Sequence, residues 1–262
     1  MRKYFAVFKH NLMRQYEFRY NNLLWFFVGL VPAVVNYIAW ITVYGDTVEI
    51  NGFSKESIFP YFVVMTILWY FVGGTISRYL GEHIKGGSLN MFLIKPIHPI
   101  VRYIFIEQAW KLGSLVVVTP ISILIFVLFD FPIQIISIWQ IVALVFSIIF
   151  AAIIFSLWDM IIGMTAFFID DIDPVGRLNR VLFSLMSGQI YPLALLPGWI
   201  TKFNDLFFFR YTFAFPSEII FTPGSINYIR MFSIQIFWVL FLIIAFKLIY
   251  KSGIRRYEAY GA

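Results

Sequence analysis

The chain alternates long apolar runs with short polar segments, and this pattern predicts a protein that crosses a membrane several times. A helix needs about 20 residues to cross the hydrocarbon core of a bilayer, and six runs approach or exceed that length. The predicted spans are residues 23–43, 57–77, 104–128, 138–168, 178–196 and 229–250. Because the fourth run is longer than the core is thick, we expect it to tilt, to protrude or to bend near Gly163.

A further apolar run, residues 197–222, is broken by charged residues and a proline. The distribution of basic residues decides how this run is interpreted. With six spans and a cytoplasmic N-terminus, 16 of the 20 Lys and Arg residues face the cytoplasm, as the positive-inside rule favours. A seventh span would place the basic tail outside. We therefore predict a re-entrant segment at 197–222 and a cytoplasmic tail at 251–262.

Residues 1–22 have the pattern of an amphipathic helix rather than of a span. The apolar residues that recur at helical spacing are Phe5, Phe8, Leu12 and Tyr16. This pattern is typical of an interfacial helix, with basic residues near anionic headgroups; a helix packed on its own protein is the alternative. The segment has no uninterrupted apolar core and no small-residue cleavage site, so we expect no removable signal peptide.

Composition supports a membrane protein and gives little support to enzyme chemistry. The chain is 61% hydrophobic and 13% charged, whereas soluble domains are about half apolar and a quarter charged. It has no cysteine, and its three histidines form no metal-binding or catalytic motif. The acidic run at 170–174 lacks the glycine and distal glutamate of a calcium loop, so it is interpreted as a turn. We predict that the chain is not an enzyme and holds no metal.

Residues 81–96, here called the 81–96 segment, are polar and lie between the second and third spans. Gly81 to Ser88 differ from a nucleotide-binding loop by one position, and the missing residue is the lysine that contacts the phosphates. We therefore expect this chain to bind no nucleotide, so another subunit must supply any ATP hydrolysis. Gly86 and Gly87 permit a sharp turn, and the segment is either a docking surface or a simple connector.

Three stretches resemble the patterns of one family. Residues 187–200, SGQIYPLALLPGWI, are similar to SG-x-x-x-P-x-x-x-LP-x-x-L, a pattern near the end of the fifth span in ABC-2-type transporter permeases. Residues 85–100, KGGSLNMFLIKPIHPI, and 252–262, SGIRRYEAYGA, resemble two patterns of a subgroup with chains of this length. Asn90 stands where that subgroup usually has an acidic residue, and Gly86 where it often has a polar one.

The resemblance implies an all-α membrane protein that forms a single domain over 1–262. It implies six transmembrane helices, an N-terminal interfacial helix, a cytoplasmic coupling helix within a loop at 78–103, and re-entrant helices between the fifth and sixth spans. The pattern of apolar runs leads independently to the same arrangement. Both termini are then expected in the cytoplasm of a cell with a bacterial-type cytoplasmic membrane.

The resemblance also implies partners and a mechanism. Such permeases assemble as pairs with two ABC ATPase subunits, which bind ATP and Mg²⁺, and act in export. Members of the subgroup often occur as two different permeases, so a second, different chain is favoured over a second copy. The remaining expected partner is the lipid bilayer, and no nucleic acid is expected.

The resemblance and the local chemistry together suggest two sets of functional positions. Positions expected to couple the permease to its ATPase are Glu82, Lys85, Gly86, Gly87, Leu89, Phe92, Leu93, Lys95 and Pro96. Positions expected at an extracellular gate or re-entrant turn are Ser187, Gly188, Tyr191, Pro192, Leu196 and Pro197. Proline and glycine end a helix and let the chain fold back, so the second set is either a gate or a structural cap.

Three charged residues lie within or beside the apolar runs. Asp159 is inside the fourth run, where a charge is costly and faces a partner or a water-filled path. Arg180 is one candidate partner, and an interfacial position on a protruding helix is the alternative. Glu107 and Lys111 are four residues apart, which suggests a local ion pair.

Two other classes of function compete with an exporter subunit. A membrane-embedded lipid-modifying enzyme would need acid–base residues that converge near one interface. An ion-coupled carrier would need several intramembrane charges or inverted repeats. The sequence shows one intramembrane aspartate and no repeat, so it favours the exporter subunit.

Overall fold

The structure is a computed structural model that describes residues 2–51, 53–94, 97–128 and 137–257. Over these residues the chain forms eleven α-helices, several short 3₁₀ turns and one small β-hairpin. The helices are α1 (Arg2–Glu17), α2 (Arg19–Tyr44), α3 (Ile58–Val72), α4 (Ile76–Lys85), α5 (Asn90–Leu93), α6 (Pro99–Leu128), α7 (Ile138–Met164), α8 (Asp173–Met186), α9 (Gly198–Asn204), α10 (Ala214–Phe221) and α11 (Tyr228–Ile254). Strands β1 (Glu49–Ile50) and β2 (Phe53–Ser54) pair antiparallel between α2 and α3.

Five helical stretches in the described part of the chain are long and apolar enough to cross a membrane. They are Tyr20–Tyr44, Lys55–Val72, Pro99–Leu128, Ile138–Phe167 and Tyr228–Ile254. These stretches coincide with five of the six predicted spans. The chain is therefore a nearly all-helical membrane protein with several spans.

The predicted fifth span, 178–196, differs from the helix that the structure contains. Helix α8 begins at Asp173, with a proline in its first turn, and ends at Met186. Its 14 residues extend about 21 Å at 1.5 Å per residue, which is less than a hydrocarbon core of about 30 Å. Proline suits the first turn of a helix, and Gly188 with φ +87° ends the helical course. The apolar run continues beyond the helix as turns.

The second span is also shorter than predicted. Helix α3 ends at Val72, and α4 starts at Ile76, inside the predicted range 57–77. Gly73 and Gly74 lie between them, and we call residues 73–75 the α3–α4 break. Helix α3 is the most buried of the five long stretches and packs against α2, α6 and α7. An interruption at its end is therefore at the centre of the molecule.

Gly163 does not interrupt the helix of the fourth span. Helix α7 runs from Ile138 through Gly163 to Met164, and a 3₁₀ turn follows at Thr165–Phe167. A β-carbon at Gly163 would lie 2.9 Å from the Cα of Ser77 in α4. The glycine therefore permits close packing between α7 and α4.

Residues 2–17 are helical, as the amphipathic pattern predicts, and α1 lies along the first half of α6. Tyr4 stacks on Phe105 with ring centroids 5.6 Å apart, and a β-carbon at Gly113 would lie 2.5 Å from the Cβ of Gln15. The helix has no buried residue and exposes Phe5 strongly. It is thus packed on its own protein along one side and leaves apolar and basic side chains open along the other.

Residues 197–222 do not form one long helix. They contain α9, a 3₁₀ turn at Phe208–Tyr211 and α10. The side chains of Tyr211, Phe213 and Phe215 are fully buried. This part of the chain is folded into the protein core at the end of the bundle that also contains the start of α3.

Candidate functional site

Two places where helical hydrogen bonding stops lie near the two ends of α3. One is the α3–α4 break at residues 73–75. The other follows α8 at residues 187–192, and we call it the α8 break. A helix end leaves backbone N–H and C=O groups unpaired, and such groups are costly where no water is present. The partners of these groups identify the side chains that organise each break.

A buried ion pair closes the end of α3 at the α3–α4 break. Lys111 Nζ lies 3.0 Å from Val72 O and donates a hydrogen bond to it. The same ammonium lies 2.9 Å from Glu107 Oε1, and both side chains are almost entirely buried. Ser156 Oγ of α7 donates to the same glutamate oxygen at 2.7 Å. The predicted ion pair is confirmed, and its contact with the α3 carbonyl extends it to a third helix.

Asp159 organises the other side of the α3–α4 break. Its Oδ2 accepts a hydrogen bond from the backbone N–H of Ser77 at 2.9 Å, in the first turn of α4. A carboxylate is favourable at a helix N-terminus because the backbone N–H groups there carry partial positive charge. The Asp159 side chain is buried. Among the described residues, no ion pair joins it to Arg180, and its partner is the α4 backbone.

The glycines of the α3–α4 break have no room for side chains. A β-carbon at Gly74 would lie 2.4 Å from Glu107 Oε2, and one at Gly73 would lie 2.6 Å from the Trp69 ring. Distances below 3.0 Å are incompatible with an unshifted neighbour. Glycine is therefore required at both positions for Trp69 and Glu107 to pack against the break as they do.

The 81–96 segment combines the end of α4, a turn and the short helix α5. Gly86 ends α4 with φ −78°, which any residue can adopt, whereas Gly87 has φ +69° and makes the sharp turn. Leu89 is 1% exposed and belongs to the core. The exposed apolar side chains are instead Met91, Leu93 and Ile94, with Ile94 85% exposed.

Glu82 and Lys85, the charged residues of the 81–96 segment that the structure describes, lie on the surface. Glu82 accepts a hydrogen bond from Arg78 Nε at 3.0 Å, and both side chains are exposed. Lys85 Nζ lies 3.5 Å from Asp170 Oδ1 in the loop before α8. Lys95 and Pro96 lie outside the described residues. The side chains available to a partner protein are therefore those of Glu82, Lys85, Leu93 and Ile94. Leu89 is buried and attaches the segment to the protein core.

An aromatic cluster supports the 81–96 segment. His83 Nδ1 lies 2.5 Å from the Tyr103 hydroxyl, and the Phe92 ring lies 5.0 Å from the His83 ring. The Arg102 guanidinium stacks 4.3 Å from the Phe92 centroid. Burial lowers the pKa of His83 below its usual 6.5, and the positive charge of Arg102 lowers it further, against a smaller opposing effect of Glu82.

The near match to a nucleotide-binding loop has a different local structure. Residues from Gly81 to Lys85 are part of α4, so their backbone N–H groups are not arranged as a phosphate cradle. A β-carbon at Gly81 would lie 2.1 Å from Cδ1 of Ile172, so this glycine permits contact with the loop before α8. No group of three or more His, Cys, Asp or Glu residues that could hold a metal occurs in the described ranges.

The α8 break is organised by two ring donors from other helices. Tyr61 of α3 donates its hydroxyl to Gly188 O at 2.6 Å, and Trp40 of α2 donates Nε1 to Ile190 O at 3.0 Å. Gly188 has φ +87° and is packed so that a β-carbon would lie 2.9 Å from the Tyr61 hydroxyl. Sequence reasoning selected Gly188 but missed Tyr61 and Trp40, because only the fold brings these distant residues together.

The other positions predicted for the gate occupy the turns on either side. Ser187 is fully buried, and its hydroxyl is without a hydrogen-bond partner among the described residues. Pro192 is buried and precedes the 3₁₀ turn at Leu193–Leu195, which Leu196 follows, and Pro197 precedes α9. Tyr191 accepts a longer hydrogen bond of 3.4 Å from Tyr61 through its carbonyl. The structure therefore brings Ser187, Gly188, Tyr191 and Pro192 together around Tyr61.

Three of the four charged residues within 197–222 pair with each other, and the fourth, Lys202, is exposed. Arg210 forms a salt bridge with Asp205 and donates to both carboxylate oxygens of Glu218 at 3.0 and 3.1 Å. Arg230, at the start of α11, lies 3.6 Å from Asp205. These contacts explain how a strongly apolar segment tolerates its two acidic residues, because each of them has a basic partner.

Comparison with known proteins gives a family and a set of relatives. The model of a family described as "ABC-2 family transporter protein" matches residues 30–261. The chain is 27% identical over 200 residues to the protein named "Inner membrane transport permease YadH" in Escherichia coli (strain K12). The matched region covers 70% of this chain and 75% of that permease. The YadH permeases of Escherichia coli O157:H7 and Shigella flexneri match with the same values.

Proposed function

Because the chain belongs to the ABC-2 family of transporter proteins, we propose that it is the membrane-spanning permease subunit of an ABC exporter. It forms the translocation path with a second permease, a different chain in preference to a second copy, and separate ATPase subunits drive it. The family match over residues 30–261 carries this proposal. The similarity to an inner membrane transport permease supports placement in a bacterial inner membrane.

ATP and Mg²⁺ belong to the partner ATPase in this proposal. This assignment is supported by the near match to a nucleotide-binding loop, which lacks the lysine and lies partly within α4. The permease contributes the surface that receives the ATPase motion. The exposed side chains of the 81–96 segment, with Ile94 the most open, have the required mixture of charge and apolar area.

The proposed topology has six spans and both termini in the cytoplasm. Five crossings are made by the five long stretches. Helix α8, together with the turns that follow it, supplies the remaining crossing, which is the fifth in chain order. Residues 197–222 re-enter from the outer side. The exposed apolar residues of α8, at 178, 181, 182 and 185, form one helical stripe. A stripe of this kind suits contact with lipid or with the second permease.

The gate is proposed at the α8 break. Ser187, Gly188, Tyr191, Pro192, Leu196 and Pro197 turn the chain back there. Movement of α3 would reach them through the hydrogen bond from Tyr61 to Gly188. This contact is a direct physical link between the centre of the bundle and the proposed outer opening.

Co-purification tests the ATPase partner. The tagged permease, expressed with its neighbouring genes, is expected to retain an ABC ATPase. Ile94→Asp should weaken that association, because Ile94 is 85% exposed and a charge there would disturb an apolar contact with little effect on folding. Ile229→Asp is the matched control, since Ile229 is 83% exposed at the start of α11, beyond the 81–96 segment.

The result also separates the competing functions. A permease that folds and reaches the membrane but never retains an ATPase would contradict the exporter proposal. Equal ATPase recovery with Ile94→Asp and Ile229→Asp would leave the exporter intact and would show that the coupling surface lies elsewhere.

Single-cysteine labelling tests the topology, and the chain is suited to it because it has no cysteine. A membrane-impermeant maleimide should reach Glu56→Cys from outside intact cells and Met91→Cys after the cytoplasmic face is opened. Both native side chains are exposed. Labelling of Met91→Cys in intact cells would contradict the proposed orientation.

A further inference from the structure

We propose that the α3–α4 break is the hinge through which motion of the 81–96 segment reaches the outer half of α3, and that Lys111, Glu107 and Asp159 are its positioning residues. We call these three residues the clamp. The inference rests on the proposed exporter function for the source of the motion. Its geometric basis, two half-helices held by separate charged contacts, is independent of that function.

The clamp provides hydrogen-bond partners for backbone groups at the end of α3 and at the start of α4, and the two partners come from different helices. Helix α6 supplies Lys111, which binds the last carbonyl of α3. Helix α7 supplies Asp159, which binds the first turn of α4. The two ends of the break are therefore attached to two different spans, so a relative shift of α6 and α7 changes the angle between α3 and α4.

Helix α4 packs closely on α7 and is expected to move with it rather than with α3. Gly163 of α7 brings the α7 backbone close to Ser77 and Leu80 of α4. Gly81 of α4 contacts Ile172, in the loop that continues from α7. A push on the 81–96 segment is thus carried by α4 and the cytoplasmic end of α7 together, and the flexible point falls at Gly73 and Gly74.

The ion pair has spare hydrogen-bonding capacity. Glu107 Oε2 is buried with no hydrogen-bond partner among the described residues. Lys111 has three N–H donors, and two acceptors surround it, Val72 O and Glu107 Oε1. A rotation of the carboxylate can therefore keep the pair intact while Lys111 moves to another carbonyl at the end of α3. The free carboxylate oxygen therefore offers the pair an alternative hydrogen bond if the end of α3 shifts, as the proposed hinge would need.

A cavity gives the break room to move. It has a volume of about 540 Å³ and opens between α6 and α7 beside the end of α3. Lys111 and Ser156 of the clamp region, together with Phe71 of α3, contribute to its wall. Protein interiors are otherwise close-packed and transmit strain rigidly, so the side chains of Phe71 and Lys111 that face this open space have fewer neighbours to displace if the end of α3 shifts.

The test follows the relative position of α3 and α4 by measuring the distance between two spin labels with electron paramagnetic resonance. Spin labels are attached at Glu56→Cys, in the turn before α3, and at Tyr79→Cys on α4, both exposed in the native chain. The sample is the permease with its ATPase, without nucleotide and with ATP plus orthovanadate. We expect one narrow distance without nucleotide and a displaced distance with it.

The decisive variant is Lys111→Met combined with Glu107→Gln. It removes the ion pair without leaving an unpaired buried charge. We expect a broadened distance without nucleotide and loss of the nucleotide-dependent displacement. Asp159→Asn is the second variant; it keeps a hydrogen-bond acceptor for α4 and removes the charge, so a smaller broadening is expected. Ser122→Ala is the control, because this buried hydroxyl of α6 donates to Val118 O within its own helix.

Two results would overturn the hinge. One is an unchanged narrow distance and unchanged displacement in the double variant. The other is a parent complex that retains its ATPase but shows no displacement with nucleotide. Failure to retain any ATPase contradicts the proposed function instead. In that case the width of the spin-label distance distribution, measured on the permease alone, still tests the clamp. Removing an ion pair that does not hold the break would leave that width unchanged.

Discussion

The two breaks at the ends of α3 solve the same problem with different chemistry. At the α3–α4 break, charged side chains from α6 and α7 satisfy the free backbone groups. At the α8 break, the neutral ring donors Tyr61 and Trp40 do so. One break is bordered by a cavity of about 540 Å³, and the other lies in a cluster of aromatic rings that Tyr61 shares with Phe53, Phe62 and Phe221.

The difference teaches how an irregular backbone is stabilised within a membrane protein. A charged group holds its partner over a range of positions, because Coulomb attraction falls off slowly with distance in a medium of low dielectric constant. A hydroxyl or indole donor works only within a narrow range of distance and angle. The α3–α4 break is therefore suited to movement with its contacts preserved, and the α8 break to a fixed geometry that opens only when a bond is lost.

The largest effect is expected when the clamp is half removed. Lys111→Met leaves the Glu107 carboxylate buried without its counter-charge and Val72 O without a donor, which should cost about 3–5 kcal/mol. The purified protein should lose its single peak in fluorescence-detected size-exclusion chromatography at a much lower temperature. Adding Glu107→Gln should restore much of the loss. Equal stability of the single and double variants would contradict the buried ion pair.

Loss of the Tyr61 hydroxyl should have an intermediate effect. Tyr61→Phe leaves Gly188 O buried without a donor, at a cost of about 1–3 kcal/mol. Tyr37→Phe is the matched control, because the Tyr37 hydroxyl makes no hydrogen bond to the described residues while its ring packs on Phe59. Thermal unfolding of the two variants in detergent gives the comparison, and equal midpoints would show that the hydroxyl does not secure the α8 break.

A smaller effect is expected at the glycine of the α8 break. Gly188→Ala places a β-carbon in the left-handed region, at about 1–2 kcal/mol, and 2.9 Å from the Tyr61 hydroxyl. Gly198→Ala is the control, since a β-carbon there meets no atom within 4 Å. If Gly188→Ala unfolds at the temperature of the control, then the positive φ is not required for this turn.

The smallest effect concerns pH and the 81–96 segment. The folded protein holds the pKa of His83 below 6.5, chiefly through burial, so it binds fewer protons than the unfolded chain as the pH falls through 6.5. Stability should therefore rise with pH across that window and decline on acidification. The charged groups near His83 are Arg102 and Glu82. Hydrogen exchange of residues 83–93 at pH 7.5 and 5.5 measures this, and His83→Gln should remove the difference attributable to this residue.

The apolar pattern predicted six spans, five of which coincide with long apolar helices, and it predicted the helical N-terminus, because such runs are stable as helices whatever their neighbours. It missed the α3–α4 break, since two glycines within an apolar run are also compatible with a continuous span. The partner of Asp159 could not be predicted either. Arg180 is a basic residue of the next helix, whereas the backbone of Ser77 lies 82 positions away in the sequence.

The coupling and gate positions were predictable only as chemical types. The sequence indicates that Leu89 is apolar, and the fold decides that it is buried while Ile94 is exposed. The same holds for Gly188, whose value lies in its φ of +87° and its contact with Tyr61. Long-range contacts of this kind depend on how the helices pack, and no local pattern carries that information.

The Glu107–Lys111 contact also bears on how the protein is inserted during synthesis. Each isolated charge at the centre of a helix costs about 2.5–3.5 kcal/mol on translocon-based scales. Because the two residues are one turn apart on α6 and already in contact, this helix can leave the translocon as a neutral unit before α7 has been made. Asp159 arrives later, and the helix terminus that receives it has by then been synthesised. The order of the chain thus delivers each buried charge when its partner is already present.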